Sequence, residues 1–222
     1  MGNMTMDNAD YLRATPFVDC DDPAIQTFAR SAVGKARTVK DKAIALYRAV
    51  RDSIQYDPYI DFFDPAEFRA SAVLHAGKGF CVGKSAVLAA AARVCGIPAR
   101  PGYADVRNHL TSKRLRDRVG DTFCWHSYTE LNIDGKWVKC TPAFDSALCA
   151  RAKIKPLDFD GVNDSLFHPF DQAGRRHMEY LKDRGAFADV PFETIVADFK
   201  RLYPKLVAAS PTAASFRDEV TT

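Results

Sequence analysis

Hydrophobic residues in the first quarter of the chain recur at the three- and four-residue spacing of an amphipathic helix. One such segment follows Asp21-Asp22-Pro23, where a capping carboxylate and a first-turn proline are typical of a helix start, and it stops at Gly34. A second segment begins at Thr38, and its apolar positions are Val39, Ala43, Leu46, Tyr47, Val50 and Ile54. The pattern predicts two helices that each bury one face.

Residues 81–95 are apolar on nearly all sides rather than on one, and Gly96 and Pro98 follow them. An apolar surface around a whole helix indicates burial on most sides. Before this segment, residues 57–79 contain prolines, glycines and aromatic residues, which favours an ordered connection with one short helix. We therefore predict a central helix that other elements surround.

After this helix the pattern changes to short segments typical of strands. Residues 99–106 predict one strand, and the polar, basic segment 107–120 follows it. Residues 122–144 predict two strands joined at Asp134-Gly135, a dipeptide that favours a tight hairpin turn. The middle of the chain is therefore expected to form a small antiparallel sheet.

The last third of the chain returns to helical spacing, over residues 171–184, which end at Gly185, and over residues 191–202. Helices, a small sheet and then helices indicate an α+β fold in one domain. We expect a flexible lead-in over residues 1–20, one domain over 21–209 with its core at 54–145 and a C-terminal helical extension at 150–209, and a frayed tail at 210–222.

The composition is that of a globular protein: hydrophobic residues make up 47% and charged residues 27% of the 222, which excludes wholesale disorder. The net charge of +3 is too small to favour nucleic-acid binding. The longest apolar run, residues 86–92, is far shorter than a bilayer span, and the first residues lack the features of a secretory signal. We expect a cytoplasmic protein with no nucleic-acid or membrane partner.

Six cysteines lie singly at positions 20, 81, 95, 124, 140 and 149. They form no C-x-x-C pair and no cysteine–histidine spacing of a zinc site, so we expect no metal site and reduced thiols. No acidic loop has the spacing of an EF-hand, so calcium is not implied. Most of these cysteines are expected to be small buried hydrophobes.

Cys81 is the expected exception. It follows the glycine-rich run Gly77-Lys78-Gly79-Phe80 and stands in the first turn of the predicted central helix. Backbone N–H groups and the helix dipole stabilise negative charge there, which predicts a lowered thiol pKa. The same N–H groups can hold an oxyanion beside the sulfur. The pattern predicts a cysteine nucleophile.

His126 lies at the beginning of the first hairpin strand, in Trp125-His126-Ser127-Tyr128. If that strand packs on the Cys81 helix, the imidazole can face the sulfur and act as general base and then as general acid. A residue on the returning strand, within residues 137–145, would orient the imidazole from behind. The pair predicts acyl transfer through a thioester, which water or an amine then resolves.

Together these segments resemble the transglutaminase-like superfamily, the circularly permuted relatives of papain-type cysteine proteases. The resemblance covers residues 54–145. It rests on Ile54-x-Tyr56, Gly79-Phe80-Cys81, Arg93-Val94-Cys95-Gly96-Ile97-Pro98-Ala99-Arg100, His126-x-Tyr128-x-Glu130 and Gly135-Lys136-Trp137. It implies that Cys81 is the nucleophile and His126 the base, and it permits peptidases, transglutaminases and amidases alike. A peptide, a protein or a small amide would be the substrate, with no cofactor.

One position departs from the family pattern. The family places an Asp-Pro-Thr element after the tryptophan, and counted from Trp137 its aspartate, the third catalytic residue, is replaced by Cys140. A neutral thiol is a poor partner for an imidazolium. Asp145 is the candidate replacement if the chain turns at Pro142, since strand alternation puts residues 140 and 145 on opposite faces. The expected catalytic set is Cys81, His126 and Asp145.

Two other functions stay open. The missing aspartate favours a non-catalytic binding module on the same fold. A thiol redox sensor would need Cys124 or Cys140 within disulfide reach of Cys81. We expect the C-terminal helices to cover one side of the cleft, and the basic run 107–118 is placed to border it and to attract a carboxylate-bearing substrate. The sequence leaves the oligomeric state open.

Overall fold

The protein is described from a computed structural model that defines residues 8–108, 112–167, 178–207 and 216–219. The helices are α1 (Pro23–Val33), α2 (Val39–Ser53), α3 (Ala70–Ala76), α4 (Cys81–Val94), α5 (Lys113–Val119), α6 (Ser146–Arg151), α7 (Phe192–Leu202), α8 (Pro204–Val207) and α9 (Phe216–Glu219), with 3-10 turns at Asn8–Leu12 and Pro65–Glu67. The strands are β1 (Gln55–Tyr56), β2 (Lys78–Gly79), β3 (Ala99–Asn108), β4 (Thr122–Ile133), β5 (Lys136–Cys140) and β6 (Met178–Ala186). The predicted α+β fold is confirmed.

The main sheet has four antiparallel strands in the order β5-β4-β3-β6. The predicted hairpin joins β4 to β5, and both of its turn residues, Asp134 and Gly135, have the positive φ angles of a tight hairpin turn, 51° and 88°. Strands β1 and β2 form a separate parallel pair. This pair fixes the chain on both sides of the long connection that precedes α4.

The first two helices begin where the capping residues predict. The Asp22 carboxylate accepts hydrogen bonds from the N–H groups of Ala24 and Ile25 at the start of α1. The Thr38 hydroxyl accepts one from the N–H of Asp41 at the start of α2. Each cap satisfies backbone donors that have no partner within the helix, so both starts follow from local sequence.

Helix α4 is the centre of the molecule. Every residue from Cys81 to Arg93 is buried, because α1, α2 and α3 pack on one side and β3 and β4 on the other. Gly83 allows the closest approach: a Cβ atom there would lie 2.7 Å from the backbone oxygen of Glu67. The predicted burial of this helix on most sides is confirmed.

The helix predicted over residues 171–184 is wrong where the structure describes it. Residues 178–186 form β6, which pairs with β3 at the sheet edge, and residues 171–177 lie outside the described ranges. Met178 is buried, and Tyr180, two residues later, pairs with Val106 of β3 and packs against the apolar cluster that contains it. The open edge of β3 therefore overrides the helical spacing.

Both chain ends are better packed than expected. Tyr11 and Val18 are buried in the segment predicted to be a flexible lead-in. Phe216 is buried in α9, inside the tail predicted to be frayed, while the other residues of that tail lie outside the described ranges. Within the described ranges, no helix has the length and apolar character needed to cross a bilayer.

Candidate active site

The β1–β2 pair sets Cys81 at the start of α4. Tyr56 pairs with Gly79, and the N–H of Asp57 donates to the carbonyl of Gly79 at 3.0 Å. Phe80, the next residue, is buried with its ring edge-on to Phe62 and Phe68. The glycine loop is therefore held on both sides, and the prediction that it delivers Cys81 to the helix start is confirmed.

The predicted lowering of the Cys81 pKa is wrong. Burial raises the pKa of this thiol to about 11, although hydrogen bonds from the backbone N–H groups of Ser127 and Val82 act to lower it. The residue is only 8% exposed, so its sulfur lacks the water that would solvate a thiolate. The helix start supplies donors, but desolvation outweighs them.

His126 reaches the same place from the sheet. It lies on β4 opposite Ala104 of β3 and is buried. His126 and Cys81 line one narrow cavity of about 50 Å³, and the neighbouring Ser127 N–H bonds the Cys81 sulfur. The structure therefore brings the predicted nucleophile and base to one enclosed space.

A β-bulge in β4 immediately precedes His126, and sequence reasoning did not find it. The register between β3 and β4 shifts there, and Trp125 has a φ of 61°, a left-handed conformation that costs a non-glycine residue about 1–3 kcal/mol. The Trp125 N–H donates to Asp105 at 3.1 Å, and its indole N–H donates to Asp198 at 2.9 Å.

Arg184 of β6 packs against the bulge at Trp125. Its guanidinium carbon lies 4.5 Å from the centre of the Trp125 ring and it forms ion pairs with Asp105 and Asp198. Three elements that are distant in sequence, β3, β6 and α7, thus fix the backbone next to His126. No short motif in the sequence indicates this bulge, because the ion pairs of Arg184 join residues that come together only in the folded protein.

Cys140 and the next residue, Thr141, have different surroundings. Cys140 lies opposite Thr129, whose hydroxyl donates to Ser85 of α4, and the Cys140 sulfur points at the Thr129 carbonyl at 3.6 Å. Cys140 therefore faces α4. Thr141 instead lines a second cavity, of about 20 Å³, together with His126.

Among the described residues, Thr141 has no partner for its side chain in that cavity. Its hydroxyl oxygen is buried and makes no hydrogen bond to any part of the chain that the structure describes.

Asp145 has other partners. Its carboxylate caps α6 by accepting from the N–H of Leu148 at 2.9 Å, and it accepts from the N–H of Tyr56 at 3.0 Å and from Arg217 at 2.9 Å. These bonds tie β1, α6 and α9 together. These contacts give it a structural role, and its assignment as the residue that orients His126 stays a prediction.

The C-terminal helices cover one side of the cavity, as expected. Phe199 of α7, Leu206 of α8 and Tyr203 between the two helices line it with Cys81 and His126. The Tyr203 hydroxyl accepts from the Cys124 N–H at 2.7 Å and donates to the Thr122 carbonyl at 2.9 Å. The wall is thus bonded to the strand that carries His126.

The other cysteines and histidines considered from the sequence lie at different places in the fold. Of the two cysteines considered as redox partners, Cys124 lines the same cavity as Cys81, whereas Cys140 faces α4. His75 lies on α3, and His109, His168 and His177 fall outside the described ranges. In the described ranges no group of three histidine, cysteine or acidic side chains is placed to hold a metal ion.

One solved structure of those compared supports this fold. The chain is similar to a candidate cysteine protease from Cytophaga hutchinsonii, with a TM-score of 0.51 and 18% identity over 86% of this chain and 51% of that one. A TGase structure gives 0.40 with 21% identity, over 64% of this chain and 34% of that one. A candidate protease from Parabacteroides distasonis gives 0.37 with 15% identity, over 60% and 26%. The chain thus spans about half the length of these proteins or less.

No curated protein matches the sequence significantly. The sequence profile of the transglutaminase-like superfamily, however, matches residues 26–142, more than half of the chain. That match runs from α1 through the Cys81 helix and the His126 strand to the residues after β5. The chain belongs to the transglutaminase-like superfamily.

Proposed function

We propose that this protein is a cysteine-dependent enzyme that transfers or hydrolyses acyl groups of amides or esters. Cys81 attacks the carbonyl carbon while His126 takes the thiol proton, and a thioester forms as the carbon–nitrogen or carbon–oxygen bond breaks. His126 then gives the proton to the leaving group. Water or an amine attacks the thioester and releases Cys81.

One observation carries this proposal: Cys81 and His126 line the same cavity, and the N–H next to the imidazole bonds the sulfur. The raised pKa of Cys81 indicates a neutral thiol at rest, so proton removal by His126 belongs to the reaction rather than to the resting state. The N–H groups of the first turn of α4 have no partner within the helix, and we propose that they stabilise the developing oxyanion once the sulfur has reacted.

Peptides, proteins and small amides are the proposed substrate classes, in keeping with the apolar walls around the sulfur. Cys124 in the same cavity keeps a redox role as the second candidate. A thioester separates the two, because a redox sensor forms a disulfide or a sulfenic acid and no acyl adduct.

The test is a chromogenic ester, 4-nitrophenyl hydrocinnamate, whose aromatic acyl group suits these walls. We expect a burst of 4-nitrophenolate and an intact-mass increase equal to one acyl group, located at Cys81 by peptide mapping and removed by neutral hydroxylamine. Cys81→Ala is expected to lose both signals by at least 10²-fold, because the nucleophile is gone.

Cys95→Ala is the matched control, since Cys95 ends the same helix outside the cavity. It should react like the wild type. Acylation spread over several cysteines, or a burst that persists in Cys81→Ala, contradicts the proposal, and a folded protein with no adduct points to a binding module.

A further inference from the structure

Tyr59 marks a surface next to the nucleophile. It follows β1, three residues after Tyr56, and Tyr56 and Pro58 line the Cys81 cavity. Tyr59 is buried, yet the hydroxyl at its tip reaches the edge of an open groove of about 570 Å³, where it lies 3.2 Å from Ser112. A ligand in this groove would therefore lie beside the wall of the active-site cavity.

Four of the seven residues that line the groove are basic, and one of its two carboxylates belongs to the C-terminal segment. Its lining residues are Ser112, Lys113, Arg114, Asp117, Arg118, Lys205 and Glu219. Asp117 forms an ion pair with Lys113 at 2.8 Å. The guanidinium carbons of Arg114 and Arg118 lie 5.4 and 5.5 Å from the centre of the Tyr59 ring. Without Glu219, four basic side chains and one acidic side chain would line it.

Glu219 occupies this basic end. Its carboxylate accepts a hydrogen bond from the Tyr59 hydroxyl and pairs with Arg114 at 3.3 Å. Glu219 belongs to α9 and lies 105 residues after Arg114 in the sequence. The contact is therefore made by a tail residue that reaches the groove from a distant part of the sequence.

The other end of the same helical turn places an aromatic ring next to the cavity wall. Phe216 is buried, with its ring edge-on to Tyr56 at 5.6 Å and to Tyr59 at 5.7 Å between centroids. Between the two ends, Arg217 donates to Asp145 at 2.9 Å. The tail thus contacts this surface through three side chains: the aromatic Phe216, the basic Arg217 and the acidic Glu219, three residues after Phe216.

We propose that this surface, formed by Tyr56, Tyr59, Arg114 and Asp145, is the binding site for a peptide substrate, and that residues 216–219 occupy it as an internal ligand. The peptide has an aromatic residue, then a basic residue, and a carboxylate three positions after the aromatic. The assignment as a substrate site rests on the proposed acyl-transfer function. The tail competes with such a peptide for the same contacts.

Competition in trans tests this directly. A fluorescein-labelled peptide with the sequence of residues 214–222 is titrated into the full-length wild type and into full-length Phe216→Ala and Glu219→Gln, each checked for folding by circular dichroism. We expect the peptide to bind both variants at least tenfold more tightly than the wild type, because their own tails compete less well.

The peptide's own chemistry provides the controls. A peptide with glutamine at the Glu219 position should bind the Phe216→Ala protein at least tenfold more weakly than the unchanged peptide. When Arg114→Gln is added to that protein, the two peptides should bind equally well. Asparagine at the Asp218 position, which pairs with Arg151 instead, should change binding less than threefold. Equal binding to wild type and variants, or indifference to the Glu219 position, overturns the inference.

This readout needs no turnover. Peptide binding without a thioester at Cys81 would refute the proposed chemistry and leave the binding site standing. A thioester without peptide binding would refute the site alone.

Discussion

Iodoacetamide is expected to alkylate Cys81 very slowly at neutral pH, at a rate that rises about tenfold per pH unit until about pH 11. The thiolate is the reactive species, and burial raises the pKa of this thiol to about 11. At pH 7 the thiolate fraction of such a group is about 10⁻⁴. Limited access to the sulfur lowers the rate at every pH but does not change this slope.

Peptide mapping after timed alkylation between pH 6 and pH 11 measures the profile. Cys95→Ala, at the other end of α4, should leave the Cys81 profile unchanged. A rate that reaches its plateau below pH 8 would show that the Cys81 thiolate is already formed at that pH, as its position at the helix start alone predicts. That result would contradict the statement that burial sets the pKa of this thiol.

The contribution of Lys84 to stability is expected to rise with pH between about pH 7 and pH 10.5, while the buried thiols, whose pKa values are raised, act in the opposite direction above about pH 8. The Lys84 side chain is fully buried, and its ammonium nitrogen donates to the carbonyls of Arg51 and Ile54, at 2.9 and 2.5 Å, where α2 ends. Burial lowers the pKa of Lys84 to about 7, although Asp145 and Asp52 act to raise it and Arg51 acts with burial.

The sign follows from proton counting. Above pH 7 the folded protein releases the Lys84 proton, while the unfolded chain keeps it up to the model value of 10.5. At this group the unfolded state therefore binds more protons in this window, and Lys84 alone raises the free energy of unfolding by up to about 1.4 kcal/mol per pH unit. Below pH 7 both states are protonated and this contribution is lost.

Urea unfolding at pH 7, 8 and 9 in wild type, Lys84→Met and Lys35→Met measures the slope. Lys35 is exposed on the surface, and its variant should keep the wild-type slope. In Lys84→Met the slope of the free energy of unfolding against pH should be lower than in the wild type, whatever the stability of this variant at pH 7. An unchanged slope in Lys84→Met would show that the buried amine keeps its proton throughout.

Local sequence sufficed for the helix starts and for the hairpin. The caps at Asp22 and Thr38 and the turn at Asp134-Gly135 act within four residues, so their physics is readable from neighbouring letters. Strand β6 was not readable, because its state depends on pairing with β3, about 80 residues earlier. Likewise, the burial of Phe216 depends on Tyr56 and Tyr59.

In the candidate site, too, some features were predictable from local sequence and others were not. A glycine loop before an apolar helix and a histidine at a strand start were enough to identify Cys81 and His126 as one expected pair. The pKa of Cys81 depends on how many groups close over the sulfur, which spacing does not encode. The surroundings of the residues after Trp137 were not readable either, because one residue along a strand exchanges the two faces: Cys140 faces α4, whereas Thr141 lines a cavity with His126.

The central claim is that His126 removes the proton of Cys81 during acylation, and the ratio of acylation rates between wild type and His126→Gln tests it most directly. We expect a ratio of about 10²–10⁴ at pH 7 with the 4-nitrophenyl ester. The ratio should fall steadily as the pH is raised to 10, because the thiol then ionises without a base. A ratio near one across this range would contradict the account.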